Sequence, residues 1–228
     1  MLASVRQQYD WDWAGAEREL RKAIELNPGY FEAYHTYSHL LSALGRNAES
    51  LVASQRALDL DPLALPMNTH LGVYHLFARE YDGAIEQLQK TIAMDDTYPL
   101  AKFYIGLAYE QKGLFVEAID SFQKAVSLSR ETVPYLAGLG HAYAVAGRQS
   151  EARRVLADLN ELAKSRYVSA YSNAVIYVGL GDKDQAFSWL QKALDERSTW
   201  VMYYRVEPRL DPLRADPRFA ALLQKIPR

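Results

Sequence analysis

Apolar and polar residues follow the period of an α-helix along this chain, in paired segments. Residues 99–112 carry large apolar side chains among small ones and stop at Gly113, a residue that ends helices readily because it takes a positive φ at little cost. Residues 115–128 place Ala118 and Phe122 four positions apart on one apolar stripe, beside polar positions on the other side. The two segments predict two helices that approach closely where their side chains are small.

The same pattern returns every 34 residues. One series of small residues keeps this step without an insertion: Ala16, Ser50, Ala84, Ala118, Ala152 and Ala186. A second series marks the turn inside each unit: Gly45, Arg79, Gly113, Gly147 and Gly181. A step of this length is typical of stacked helix pairs, because a single pair cannot bury its own apolar face. We therefore expect an all-α solenoid of about six repeats, at about residues 1–30, 31–64, 65–98, 99–132, 133–166 and 167–200.

Several residues within this step carry a resemblance to a known family, the tetratricopeptide repeat. They are Ile105, Gly106, Tyr109, Leu139, Gly140 and Tyr143 on the first helices, and Ala118, Phe122 and Ala125 on a second helix. The resemblance covers nearly the whole chain. It implies a right-handed α-solenoid that works as a non-catalytic scaffold for binding proteins or peptides.

Residues 201–228 follow the array of residues 1–200 and are predicted to be a capping segment. Asp211-Pro212 and Asp216-Pro217 each join an N-cap residue to a proline at the first helical position, so a short helix is expected after each pair. The final helix has apolar residues at helical spacing and would cover the exposed face of the sixth repeat.

The two ends of the chain are similar to the C-terminal tetratricopeptide region of multidomain bacterial signalling proteins. Such regions commonly follow winged-helix DNA-binding domains or serine/threonine kinase domains, and the similarity rests on YDWDWAGAE near the start and on the C-terminal segment. It implies an interaction or sensor arm and carries over no catalytic residues. Because Met1 falls at about the fifth position of a repeat, we also expect a fragment of a longer parent chain.

Charge and composition exclude several classes of partner and cofactor. Lys and Arg number 26 and Asp and Glu number 28, a net charge of -2 that gives little attraction to nucleic acid or to an anionic membrane. The chain has no cysteine, which excludes disulfides, thiolate metal sites and cysteine nucleophiles. We expect no cofactor and a cytoplasmic location, with the periplasm open if the parent chain is anchored in a membrane.

Candidate chemistry is limited to one pair of histidines. His35 and His39 lie four positions apart on a first helix, with Glu32 one turn earlier, and this is a spacing that metal ligands use. Since no third or fourth ligand is evident in the sequence, we expect two groove-facing histidines without a metal, and no enzyme. A proton-sensing pair and a metal-dependent enzyme that uses His35 and His39 are the alternatives.

In the tetratricopeptide family the first helix of each repeat lines the concave groove, so the resemblance assigns partner-binding residues here. They are His35, His39, Phe77, Phe103, Leu107, His141, Tyr171 and Val175. The groove positions lack the Lys, Arg and Asn that family members use to hold acidic tails. We expect an apolar or amphipathic peptide, or a flanking segment of the parent chain, in the groove. Two alternatives remain, in which the stripe only packs the inner wall of the superhelix or the module self-associates, for example as a homodimer.

Overall fold

The computed structural model describes residues 5–6, 10–129 and 132–227, and within these ranges every regular element is helical. The α-helices are α1 (Trp13–Leu26), α2 (Phe31–Ala43), α3 (Asn47–Leu60), α4 (Leu65–Phe77), α5 (Tyr81–Met94), α6 (Pro99–Gln111), α7 (Phe115–Leu128), α8 (Val133–Val145), α9 (Gln149–Leu162), α10 (Ala170–Gly179), α11 (Lys183–Asp195) and α12 (Pro217–Gln224). Two short 3₁₀ helices, Thr199–Tyr203 and Pro208–Leu213, lie between α11 and α12.

Consecutive helices pack in pairs, and each pair packs on the next. The pairs begin with α2 and α3 and end with α10 and α11, and the even-numbered first helices also contact one another, as α8 and α10 do. The predicted α-solenoid is confirmed. Helix α1 is the second helix of the first repeat, whose predicted first helix falls mostly outside the described residues.

The turn within each pair is made by the predicted glycine. The φ angles of Gly45, Gly113, Gly147 and Gly181 lie between 75° and 78°, as expected for a residue that ends a helix in the left-handed region. Leu114 then donates its backbone N–H to the carbonyl of Tyr109 at 3.0 Å, which satisfies a carbonyl at the end of α6. Arg79 occupies the same place in its repeat at a φ of 68°, although it has a side chain.

Small residues let the two helices of a pair approach closely. A Cβ added at Gly106 in α6 would lie 3.0 Å from the ring of Phe122 in α7, tighter than an ordinary van der Waals contact. Ala118 and Phe122 are both fully buried. Phe122 therefore fills the space that the small residues leave at the crossing, as the sequence pattern predicts.

After α11 the chain runs back over the first helices of the array. We call residues 199–213, which include both 3₁₀ helices, the inner segment. Its first 3₁₀ helix contacts α2 and its second contacts α10, so it spans the concave surface from one end of the array to the other. Tyr204 and Leu210 in this segment are completely buried. This path differs from the simple cap that the sequence predicts for residues 201–228. The predicted boundary between the array and the C-terminal segment, at residue 200, stays a prediction.

The last helix, α12, lies against α11, and its capping role stays a prediction. The guanidinium of Arg218 donates to Asp184 at 2.7 Å and lies 4.2 Å from the centre of the Phe187 ring, and both partners are on α11. Asp216 accepts from the backbone N–H of Arg218 and is the predicted N-cap of α12. The same prediction for Asp211 is wrong, because Glu207 caps the second 3₁₀ helix and Asp211 lies within it.

Helix length and polarity also bear on membrane insertion. Among the residues that the structure describes, no helix combines the length and the apolar character needed to cross a bilayer.

We expect Gly113→Ala to lower the free energy of unfolding by about 1 kcal/mol, because an L-residue is strained at positive φ. A Cβ at this position meets no atom within 4 Å, so the loss reports backbone strain alone. Urea denaturation followed by circular dichroism measures it. The control is Gly29→Ala, since Gly29 does not have a positive φ and a Cβ there would contact only Asn27, at 3.5 Å. Equal stability of the two variants would contradict this account of the turn.

Candidate interaction surface

Aromatic rings hold the inner segment against the first helices. Trp200 stacks on Tyr171 of α10, with ring centroids 5.2 Å apart and an angle of 11° between the planes. Tyr203 packs on Phe77 of α4 with ring centroids 5.3 Å apart, and Tyr204 also stacks on Tyr171, at 5.9 Å. Such ring pairs contribute about 0.5–1.5 kcal/mol each beyond the area that they bury. Two residues predicted to bind a partner, Phe77 and Tyr171, thus contact a segment of their own chain.

Arg79 adds a polar anchor at the turn after α4. Its guanidinium donates to the backbone carbonyl of Val206 at 2.6 Å and to the carboxylate of Asp211 at 2.8 Å. The arginine thus stands where the other repeats have glycine and links that turn to the inner segment. Its positive φ is a strained conformation for a residue with a side chain, and these charge-assisted hydrogen bonds offset the strain.

A buried ion pair lies at the centre of the inner segment. The guanidinium of Arg209 donates to both carboxylate oxygens of Glu207 at 2.9 and 3.0 Å, and to the hydroxyl of Tyr171 at 3.3 Å. Glu207 and Arg209 are 1% and 3% exposed. Burial alone would raise the pKa of Glu207, but the Arg209 charge and its hydrogen bonds outweigh burial and lower that pKa. The pair is therefore charged at neutral pH.

A second buried pair, Glu110 and His141, faces the same region from α6 and α8. The Nδ1 atom of His141 lies 2.8 Å from a carboxylate oxygen of Glu110. Both residues line a cavity of about 330 Å³, together with Pro208 and Arg209 of the inner segment. The sequence predicts that His141 binds a partner protein. In the structure its side chain contacts Glu110 of the same chain, and the inner segment lies beside it.

The other predicted apolar anchors are interior residues. Phe103, Leu107 and Val175 are 1%, 1% and 0% exposed. Phe103 and Val175 line a very small cavity beside Trp200 and Arg209, and Leu107 belongs to the main hydrophobic core. Their role in binding a partner stays a prediction.

The two remaining predicted residues, His35 and His39, lie together with a third histidine that sequence reasoning missed. The Nε2 atom of His35 is 2.9 Å from Nδ1 of His70 on α4, and Nδ1 of His39 is 3.3 Å from the hydroxyl of Tyr203. The repeat step could have revealed His70, because it lies one residue beyond a full repeat from His35 and so on the same turn of the next first helix.

Burial sets the protonation state of these histidines. It lowers the pKa of His70 to about 3, with the neighbouring His35 adding to the effect. Burial, followed by the nearby His70 and His35, also holds the pKa of His39 well below its usual range. Burial lowers the pKa of His35 too, with Glu32 acting in the opposite direction. The three imidazoles are therefore neutral at pH 7, and each keeps a lone pair.

Another cavity lies away from the inner segment, in an open cleft between α1, α2 and α3. It has a volume of about 600 Å³ and is lined by residues that include Ile24, Tyr37 and Val52. Val52 is 72% exposed. The inner segment does not line this cleft, so it is a surface separate from the concave one.

Comparison with family models identifies the repeat. A model described as tetratricopeptide repeat matches residues 69–132, and a second model of the same description matches residues 31–62 and 170–199. Together the matches span more than half of the chain.

Individual proteins and structures are similar at lower identity. Human tetratricopeptide repeat protein 13 is 31% identical over 125 residues, which is 55% of this chain and 14% of that relative. The crystal structure of PilW, a type IV pilus biogenesis factor, is 16% identical with a TM-score of 0.65 and covers 93% of this chain and 94% of its own. The crystal structure of the APC/C hetero-tetramer Cut9–Hcn1 is 20% identical with a TM-score of 0.64. The match covers 89% of this chain and 44% of that chain. At these identities the two structures show the fold alone.

We expect Glu207→Gln to lower the free energy of unfolding by about 3 kcal/mol at neutral pH, because it leaves the Arg209 charge buried without a counter-ion. The double variant Glu207→Leu, Arg209→Met should regain much of this loss. Chemical denaturation measures both. Since the folded pKa of Glu207 is lowered, its contribution is present above the unfolded pKa of about 4.3 and is lost as pH falls below it. The difference between wild type and Glu207→Gln should therefore shrink in acid.

The matched control for this pair is Glu86→Gln at the solvent-exposed contact with Lys90. Solvent screens such a pair, so its loss should change stability much less. If Glu207→Gln has no larger effect than Glu86→Gln, the buried pair does not stabilise the inner segment.

Proposed function

Because the chain belongs to the tetratricopeptide repeat family, whose members generally mediate protein–protein interactions, we propose that it is a non-catalytic scaffold that holds a peptide segment against its first helices. The observation that supports this proposal is the inner segment. It lies across the concave surface like a bound peptide, held by the rings of Trp200 and Tyr203 and by the polar contacts of Arg209. These are the features of a peptide ligand with a few aromatic and arginine anchors.

In this proposal the inner segment is an intramolecular ligand. A short tether to α11 gives it an effective concentration on the order of millimolar at the concave surface. A peptide of another protein binds there only when it outcompetes the segment or when the segment is released. Phe77 and Tyr171 then contact the incoming peptide in place of Tyr203 and Trp200.

The wider role that we infer is that of an interaction or sensor arm in a bacterial signalling protein. The low net charge supports a protein or peptide partner over nucleic acid or an anionic membrane surface. The groove residues support an apolar or amphipathic peptide, because the contacts with the inner segment are mainly aromatic.

Self-association is a second candidate, favoured by the turn between α11 and the inner segment. Arg197 in this turn has a φ of 52°, a conformation that residues with side chains rarely adopt. If the turn opens, the inner segment of one copy can fill the concave surface of another. Exchange of an element in this way is domain swapping, and it would give a homodimer.

The test uses the full chain with a weakened inner segment. The double variant Trp200→Ala, Tyr203→Ala removes the rings that contact Tyr171 and Phe77 and leaves the first helices intact. A fluorescent synthetic peptide of residues 198–214 should bind this variant and should not bind wild type, where the native segment fills the surface. Fluorescence anisotropy measures binding, and hydrogen exchange of residues 199–213 measures release of the segment.

Two controls complete the experiment. A scrambled peptide should not bind, and Val116→Ala, at a position 80% exposed, should behave as wild type. If the variant keeps its helical signal and releases its segment yet does not bind the peptide, the concave surface is not a peptide site. Light scattering across protein concentrations tests the second candidate, since a swapped dimer requires a mass that rises with concentration.

A further inference from the structure

Three histidines converge between two neighbouring first helices. His35 and His39 come from successive turns of α2, and His70 comes from the facing side of α4. One ligand atom from each imidazole lies within 4.8 Å of the others. The ring centroids of His39 and His70 are 4.2 Å apart, and those of His35 and His70 are 5.0 Å apart.

The three imidazoles are close enough to bind one metal ion after small rotations of their side chains. Imidazole nitrogens about 2.0–2.1 Å from a zinc ion lie roughly 3.3 Å apart in a tetrahedron. The His35 and His70 nitrogens are already 2.9 Å apart, and rotation about the side-chain bonds of His39 can supply the remaining movement. Imidazole binds metal in its neutral form.

We propose that His35, His39 and His70 form a site for one divalent transition-metal ion of the kind that imidazole favours, such as zinc, nickel or copper. The ion replaces the hydrogen bond between His35 and His70, in which only one lone pair is used. Three imidazoles leave the fourth tetrahedral position open to a water molecule or another ligand. Glu32, one turn before His35, adds negative charge that favours a cation.

Such an ion would join elements that are distant in sequence. It would fix α2 to α4. The site uses only residues of the array and so does not depend on whether the concave surface binds a partner.

The experiment titrates ZnCl₂ into the full chain at neutral pH, after removal of adventitious metal with a chelator, in a calorimeter. We expect one ion per chain, and Co²⁺ in place of zinc should give the visible absorption of a tetrahedral nitrogen-ligated site. His39→Ala and His70→Ala should each weaken zinc binding by at least about 100-fold, because even the loss of an outer-shell partner costs about 10–100-fold.

The chain supplies a matched control, His75→Ala. His75 lies outside the cluster and pairs with Glu80 at 2.6 Å, so its loss should leave zinc affinity unchanged. His35 is partly exposed, so His35→Gln should keep the helical circular dichroism and still weaken binding. If folded wild type gives neither heat nor Co²⁺ absorption, or if His35→Gln binds zinc as tightly as His75→Ala does, the proposal is wrong.

Discussion

The small residues that recur every 34 positions set how closely the helices pack, and other features of the structure depend on that distance. Where a first helix has Gly106 and the second has Ala118, Phe122 enters the crossing and fills it. Because the crossing is repeated without an insertion, each pair meets the next in nearly the same way. The first helices consequently form one continuous inner wall.

An inner wall of this kind exposes apolar surface unless something covers it. Here the cover is the inner segment, in which Trp200 contacts Tyr171 of α10 and Tyr203 contacts Phe77 of α4, although both lie in a single 3₁₀ helix. A buried pair such as Glu207 and Arg209 contributes little net stability over apolar residues of the same volume, because both charges lose their hydration. Its hydrogen bonds with Tyr171 do restrict the segment to one position. Apolar contacts thus favour a segment that covers the inner wall, and polar contacts determine the position at which the inner segment lies.

The histidine cluster follows from the same geometry. A spacing of four places His35 and His39 on one face of α2, and stacking of the next repeat brings His70 opposite them. Packing leaves these imidazoles only partly exposed to water, and this burial lowers the pKa of each. Elsewhere on the wall, His141 has a carboxylate partner in Glu110 instead. Two kinds of histidine environment therefore exist on one surface. In one the neighbouring first helix supplies another histidine, and in the other it supplies a glutamate.

The sequence alone determined the helix pairs, the turns at Gly113 and its equivalents, and the final helix at Asp216-Pro217. These features depend on residues close in sequence, whose spacing directly reflects helical period and backbone conformation. It also identified Phe77 and Tyr171 as inner-wall residues through the family resemblance. Only the tertiary structure decided what those residues contact.

The path of the inner segment and the partners of Arg79 depend on contacts between distant parts of the chain. Nothing in local spacing reports those contacts, because each is set by the accumulated angle between successive helix pairs. The repeat determines that an inner wall forms. The curvature of that wall determines which residues distant in sequence come into contact across it.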